Sequence, residues 1–475
     1  MATARVPAPV RRTYSPRPPD RVTSLSKRAA ALAFRCANAS ASSRAAVSGS
    51  ASVPALDAPP PSDPRTGTTR SLFCFGLGYT SLGLAETLRR AGWRVAGTCR
   101  SAERARALEA AGIPAFVWDP EEEKFLGDEA AAALRDATHV LVSVPPTERP
   151  SGVTDETDGG ARRDDDDDDD DASEPAPRFR ARVDPVLADA ACVAALRRRD
   201  GGAKRSVSTS ATGSRLAWLA YLSSTGVYGD HSGDFVDETS PCVPMTGKTR
   251  ARFAAEREWE AFARSEDGAA DLRLRVFRLG GVYGPRRSLL DAAARGNASA
   301  AHPPERASAK NTRSSSRFSR AFTARCHARD VVAMLCASIS RADRDADPTR
   351  IRTYNAVDDA PAPRAVALAF AEALLADARG GEATADAASV SRGATDSTDS
   401  AKGPARVPDG ASRVATPPVA GAARVKNDRG EKRVRNDRAK TELGVELAFP
   451  TYAEGLAAIA DGDTSPFSDA LLDVL

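Results

Sequence analysis

Aromatic residues make up only 5% of this 475-residue chain, and histidine occurs four times, at His139, His231, His302 and His327. So few imidazoles, so far apart, leave little with which to build a metal centre, and none is expected. Seven cysteines (Cys36, Cys74, Cys99, Cys192, Cys242, Cys326 and Cys336) are scattered without a C-x-x-C pair. That excludes zinc-type spacing and reads as free thiols in a reducing compartment. No apolar run approaches the ~18 residues that a membrane-spanning helix needs. Charge is plentiful at 28%, but the net is only +3, which argues against a general polyanion binder. The basic stretches lack the interleaved aromatics expected where bases stack, so nucleic acid is not an expected partner. Carboxylates are nearly missing from the first sixty residues, which hold only Asp20 and Asp57 among Arg, Ala, Ser and Pro. This composition is that of an organelle transit peptide, without the apolar core of a secretory signal. A chloroplast is the expected destination, a mitochondrion the second choice, and a plain tail the bland alternative.

The hydrophobic content of 41% allows a sizeable core, although Ala supplies much of it. Length suits two or three domains, or one large domain with long insertions. Four segments read as insertions. Pro150 to Pro177 contains the uninterrupted run Asp164 to Asp171, whose self-repulsion opposes compaction. Arg197 to Ser214, Gly296 to Arg317 and Ala376 to Asn427 are rich in small and polar residues without hydrophobic periodicity. The expected layout is a disordered leader over 1–65, a nucleotide-binding domain over 66–290, and a C-terminal substrate-binding part over 291–475.

Between the insertions, apolar runs alternate with helical spacing. Strands are predicted at Leu72–Phe75, Trp93–Thr98, Pro114–Trp118, His139–Val144, Leu216–Leu222 and Leu272–Leu279. Helices are predicted after Ser81, over Ala102–Ala111, Val183–Leu196 and Arg250–Arg264, and over Ala365–Leu375 after a strand at Tyr354. Such alternation implies a parallel sheet covered on both faces, a doubly wound α/β fold.

Phe75-Gly76-Leu77-Gly78-Tyr79-Thr80-Ser81 joins the first strand to the first helix. Gly76 permits a tight turn, Gly78 lets a backbone approach a pyrophosphate, and small Ser81 lets the helix pack closely. The helix start then offers unpaired N–H groups and a positive dipole end to phosphates. A purely structural turn is the competing reading. The second strand ends in Thr98-Cys99-Arg100-Ser101, without the carboxylate that binds a ribose 2′-hydroxyl. Arg100, with hydroxyls from Thr98 and Ser101, suits a 2′-phosphate, so NADP is favoured over NAD. Asp119 is placed for adenine or for a turn, and Ser143 and Val144, at the end of the fourth predicted strand, are candidate cofactor-binding residues.

Further on stand Ser223-Ser224-Thr225-Gly226-Val227-Tyr228-Gly229, Asp237-Glu238, Arg278-Leu279-Gly280-Gly281-Val282-Tyr283-Gly284-Pro285, and His327-Ala328-Arg329-Asp330-Val331. Their order resembles the NAD-dependent epimerase/dehydratase family, the extended short-chain dehydrogenases, over most of 72–359. The resemblance implies that Ser224 binds the substrate oxygen, with Thr225, Arg278 and Tyr283 bordering the cleft. It also implies a Tyr-x-x-x-Lys pair on the next helix. In that pair the Tyr moves a proton and the Lys holds the nicotinamide ribose. With Glu256 aligned to the acid after that pair, Lys248 stands at the Tyr position and Arg252 at the Lys position. The tyrosine is missing. Arg252 still suits ribose hydroxyls, whereas Lys248 acts as an acid or base only where burial lowers its pKa. Tyr228 and His231 are candidate substitutes, and the bland reading has them packed and solvated. Lys432, Arg433 and Arg438, in a segment similar to the family's last motif, line an anionic cleft or a solvated basic loop. Arg325, His327 and Asp330 suit a structural helix start.

Two functions remain open at this point. One is an atypical short-chain dehydrogenase: an NAD(P)-dependent oxidoreductase or epimerase/dehydratase-like enzyme on a small sugar-like or carbonyl substrate. The other is a non-catalytic dinucleotide-binding organellar protein, such as a redox sensor or an assembly or RNA-associated factor. The resemblance further implies a homodimer.

Overall fold

The computed structural model describes residues 57–62, 67, 69–120, 126–147, 183–197, 216–265, 272–295, 320–343, 349–390 and 430–475. These belong to one unit spanning Val53–Leu475. Eleven strands are described: β1 (Ser71–Phe75), β2 (Arg94–Cys99), β3 (Ala115–Val117), β4 (His139–Val142), β5 (Trp218–Ser224), β6 (Phe235–Val236), β7 (Arg273–Leu279), β8 (Gly281–Tyr283), β9 (Arg325–His327), β10 (Ile351–Ala356) and β11 (Arg433–Val434). Seven of them form a sheet in the order β10-β7-β5-β4-β1-β2-β3, and every pairing in it is parallel. Two short parallel pairs, β6 with β11 and β8 with β9, stand outside it.

The period-two alternation of the strands divides the core between two faces. Leu72 and Cys74 of β1 point to one side, with Leu82, Leu88, Leu108 and Val332 from the helices Tyr79–Arg90, Ala102–Ala110 and Ala328–Asp343. Phe73 and Phe75 point to the other, with Leu134, Leu187 and Trp259 from Asp128–Asp136, Pro185–Ala188 and Gly247–Arg264. The doubly wound fold is therefore observed, with helices on both faces of a parallel sheet.

Several boundaries differ from the sequence reading. The helix expected over 183–196 is two pieces, because Asp184 and Asp189 each turn inward to cap a new start. Asp184 accepts from the amides of Val186 and Leu187 and from Trp259 Nε1, and burial raises its pKa to about 7. The helix after β10 runs over Arg364–Val390, so the stretch expected to be irregular from Ala376 begins as helix. The expected boundary at 290 cuts through the architecture, since β10 supplies the seventh strand of the main sheet. Residues 59–61, at the end of the expected leader, bond to the folded part: Trp93 Nε1 donates to the Pro59 carbonyl (2.8 Å), and Arg70 holds the carbonyls of Pro60 and Pro61. The expected insertions at 150–177 and 296–317 lie outside the described residues, as does almost all of 197–214. Among the described residues no helix is long and apolar enough to cross a membrane, and no group of three His, Cys, Asp or Glu side chains suits a metal.

Candidate active site

The chain reverses its direction of travel across the sheet at β1, which has β2 on one side and β4 on the other. In open parallel sheets, ligands bind in the crevice beyond the carboxyl ends of the strands at such a point. The glycine turn lies there. Gly76 adopts φ +82°, a conformation that a side chain disfavours. A Cβ on it would stand 3.0 Å from Ser143 Oγ and 3.1 Å from Val144 Cγ1. Its amide donates to Thr98 Oγ1 (2.9 Å), and its carbonyl accepts from Ser143 Oγ (2.7 Å). Thr98 is 1% exposed and braces the turn by accepting the bond from the Gly76 amide. Gly78 has nothing within 4 Å of the place a Cβ would take, and it precedes the helix without a side-chain cap. The first intrahelical bond runs from Leu82 to Gly78, so the amides before Leu82, including those of Tyr79, Thr80 and Ser81, are the donors that an anion would use. Ser81 is fully buried beneath them. Tyr79 turns sideways to donate its hydroxyl to the Pro285 carbonyl (2.9 Å).

Of the residues expected at an adenosine, Arg100 is exposed just past β2 and Asp119 is half-buried just past β3. Ser101 caps the helix Ala102–Ala110 by accepting from the Arg104 amide (3.3 Å). Gly97 was missed by the sequence reading. A Cβ there would come within 2.5 Å of the Cys74 carbonyl and 2.9 Å of Leu77. An isolated glycine inside a strand was the available signal for this close approach.

The residues expected at the substrate gather where β5 meets the helix Gly247–Arg264. Ser224 Oγ accepts from the Gly226 amide (3.1 Å), which leaves its proton free to donate. Thr225 is buried in the turn that follows. Thr249, rather than Lys248, faces this turn: its Cγ2 lies 2.9 Å from the position of a Cβ on Gly226. Lys248 is exposed, so the burial that its acid–base role required is not present. Arg252 Nη1 donates to the Leu222 carbonyl (2.7 Å), near the carboxyl end of β5, and its guanidinium lies 5.9 Å from the Tyr221 ring.

Three residues expected at the site are built into the core instead. Arg278 is 6% exposed and forms a two-pronged pair with Glu256, Nε to Oε1 at 3.2 Å and Nη2 to Oε2 at 2.8 Å. Glu256 also accepts from Ser223 Oγ. Tyr228 is fully buried under the Arg278 guanidinium (4.8 Å), and its hydroxyl donates to Asn355 Oδ1 (2.8 Å). Burial pushes that phenol up to about 12, so it stays protonated near neutral pH. Tyr283 is 7% exposed, and Gly455 leaves room for its ring. Sequence reading used Glu256 only to set a register; its partner became visible only in three dimensions.

The remaining candidates are structural or peripheral. His231 Nε2 lies 3.0 Å from the Tyr228 carbonyl. His327 accepts the Arg329 amide on Nδ1 (3.3 Å) rather than pairing with a carboxylate, and burial lowers its pKa to about 4. Asp330 accepts from the amides of Ala448 and Phe449. Lys432 is buried and donates to the Gly229 carbonyl (2.7 Å). Arg433 donates to the Gly233 carbonyl (2.8 Å), and Arg438 to that of Thr353 (3.3 Å). Two of these cations hold loop carbonyls and Arg438 holds one on β10.

The chain is similar to several known proteins. Protein YeeZ of Escherichia coli K12 is 26% identical over 212 residues, 45% of this chain, and the chain spans 58% of that protein's length. Among solved structures, a conserved protein from Silicibacter pomeroyi DSS is 25% identical with a TM-score of 0.48, covering 84% of this chain and 100% of that one. MoeE5 in complex with UDP-glucuronic acid and NAD is 18% identical with a TM-score of 0.45, covering 82% and 97%. Over residues 200–356 the chain matches the NAD dependent epimerase/dehydratase family.

Proposed function

We propose that this protein is an NAD(P)-dependent oxidoreductase or epimerase/dehydratase-like enzyme of the atypical short-chain dehydrogenase type, acting on a small carbonyl or sugar-like substrate. The carrying observation is the pre-shaped turn at Gly76–Ser81, open at Gly78 and placed at the reversal point of the parallel sheet. The turn amides and helix start suit the pyrophosphate, and Gly76, Ser143 and Val144 form the floor beneath it. Exposed Arg100, with no carboxylate at the end of β2, supports NADP as the preferred form. The bound nucleotide would supply the hydride chemistry. Ser224 donates to the substrate oxygen, and Arg252 braces the end of β5 beside it.

The exposed position of Lys248 favours a second reading, a dinucleotide-binding protein without catalysis. Titration of the full chain with NADPH and with NADH, followed by nicotinamide fluorescence, tests the cofactor assignment. Arg100→Ala is expected to weaken NADPH roughly tenfold or more while leaving NADH unchanged. A carbonyl-substrate screen that compares wild type with Ser224→Ala then separates enzyme from binder. If neither nucleotide binds, the turn is structural and the enzyme reading is abandoned. Import into a chloroplast belongs to the same proposal and rests on the acid-poor composition of residues 1–60. Fusion of that segment to a fluorescent reporter tests it. A homodimer is proposed on the family resemblance alone, with sedimentation velocity as its check.

A further inference from the structure

We propose that Arg104 is a positioning residue for the dinucleotide-binding turn, and that the C-terminal segment 465–475 acts through it as a clasp on nucleotide affinity; this rests on the dinucleotide reading above. Arg104 stands in the first turn of the helix Ala102–Ala110. Its Nη2 donates to the carbonyl of Leu77 (3.1 Å), the residue between the two turn glycines, and its Nη1 donates to the carbonyl of Val474 (2.9 Å). One rigid fork thus joins the turn to the C-terminal segment.

The segment is fastened at further points. The Phe467 ring lies 4.8 Å from that of Tyr79. A Cβ on Gly83 would come within 2.8 Å of Pro466. Leu471 and Leu472 are buried. Arg286 donates to the Leu472 carbonyl (2.6 Å) and pairs with Asp473 (3.2 Å). Its neighbour Pro285 accepts from the Tyr79 hydroxyl.

The Leu77 carbonyl and the Gly78 amide belong to one planar peptide. Holding the carbonyl toward Arg104 therefore holds the amide toward the side where a phosphate would sit. With glycine on both sides of Leu77, the turn has unusual freedom, and the side chain of Arg104 limits it before any ligand arrives. Without that restraint the ordering cost falls on binding.

The test uses the full chain and four variants: Arg104→Met, Arg104→Lys, Arg286→Ala and the double Arg104→Met/Arg286→Ala. Melting temperature verifies folding, and affinity for NADPH and NADH is measured in parallel. Arg286 is 55% exposed, so its variant keeps the test usable if Arg104→Met folds poorly. Arg104→Met is expected to weaken both nucleotides about tenfold, Arg104→Lys to recover part of the loss, and Arg286→Ala to weaken them a few-fold. The double variant should bind no worse than Arg104→Met. Wild-type affinity in Arg104→Met overturns the positioning role. Independent, multiplying losses in the double variant overturn action through Arg104. If the wild-type chain binds neither nucleotide, the dinucleotide reading fails and the clasp falls with it. If it binds but the variants do not differ, the clasp alone is overturned.

Discussion

Glu256 takes hydrogen bonds from Ser223 on β5 and Arg278 on β7 while sitting on a helix between them, and it is 1% exposed. A charge buried this deeply is tolerable only with its partner in place. Glu256→Gln or Arg278→Met is therefore expected to destabilise the fold by about 3–5 kcal/mol. The double variant should cost clearly less than the sum, as read by urea denaturation. Asp358 makes a different prediction. It is 2% exposed, and burial, only partly offset by Arg325, raises its carboxyl to about 8. The folded state therefore holds this proton more tightly than the unfolded state. The associated stability is complete below about pH 4 and is lost as pH rises through about 8. Asp358→Asn should accordingly gain on wild type as pH is raised from 5 to 8.5, as melting temperatures across that range will report. A melting difference that does not change with pH would place the raised carboxyl elsewhere.

At the scale of elements, the motif Val227-Tyr228-Gly229 acts as a hub for loops. Gly229 holds φ +75°, and a Cβ on it would collide with the Val243 carbonyl. Its own carbonyl is capped by Lys432, the first residue of the C-terminal basic motif. Tyr228 meanwhile reaches Asn355, whose amide nitrogen donates to Arg435. Gly229→Ala should cost at least about 2 kcal/mol, from strained backbone plus the clash, measurable by chemical denaturation. The period-two and 3.6-residue patterns were enough to find the strands of the main sheet and most helices flanking it. They missed the helix Asp128–Asp136 and the short pairs β6–β11 and β8–β9 outside the main sheet. They also ran one helix through Asp189, where a side-chain cap overrides a continuous apolar spacing.

For the whole molecule, a ligand that binds only the folded state stabilises it by mass action. NADPH at a hundred times its dissociation constant should add about 2.7 kcal/mol, visible as a raised melting temperature. The same excess of NADH is expected to require a higher absolute concentration. Absence of any shift with either nucleotide would contradict the proposed cofactor site.

The sequence alone determined the doubly wound class and the place of the glycine turn after β1, because each is a local matter of periodicity or of residue type at fixed spacing; that a tyrosine is missing is what the family resemblance implies. The candidate status of Ser224 is implied by the family resemblance of the motif around Val227-Tyr228-Gly229, not by its position on a strand. Only the tertiary structure decided that Arg278, Tyr228 and Tyr283 are core supports, that Lys248 faces solvent while Thr249 faces the turn, and that Arg104 ties Leu77 to Val474. The physical reason is range. A cation's role is set by the carbonyl or carboxylate opposite it, and here those partners lie 22 residues away for Arg278, 27 and 370 for Arg104, and 203 for Lys432.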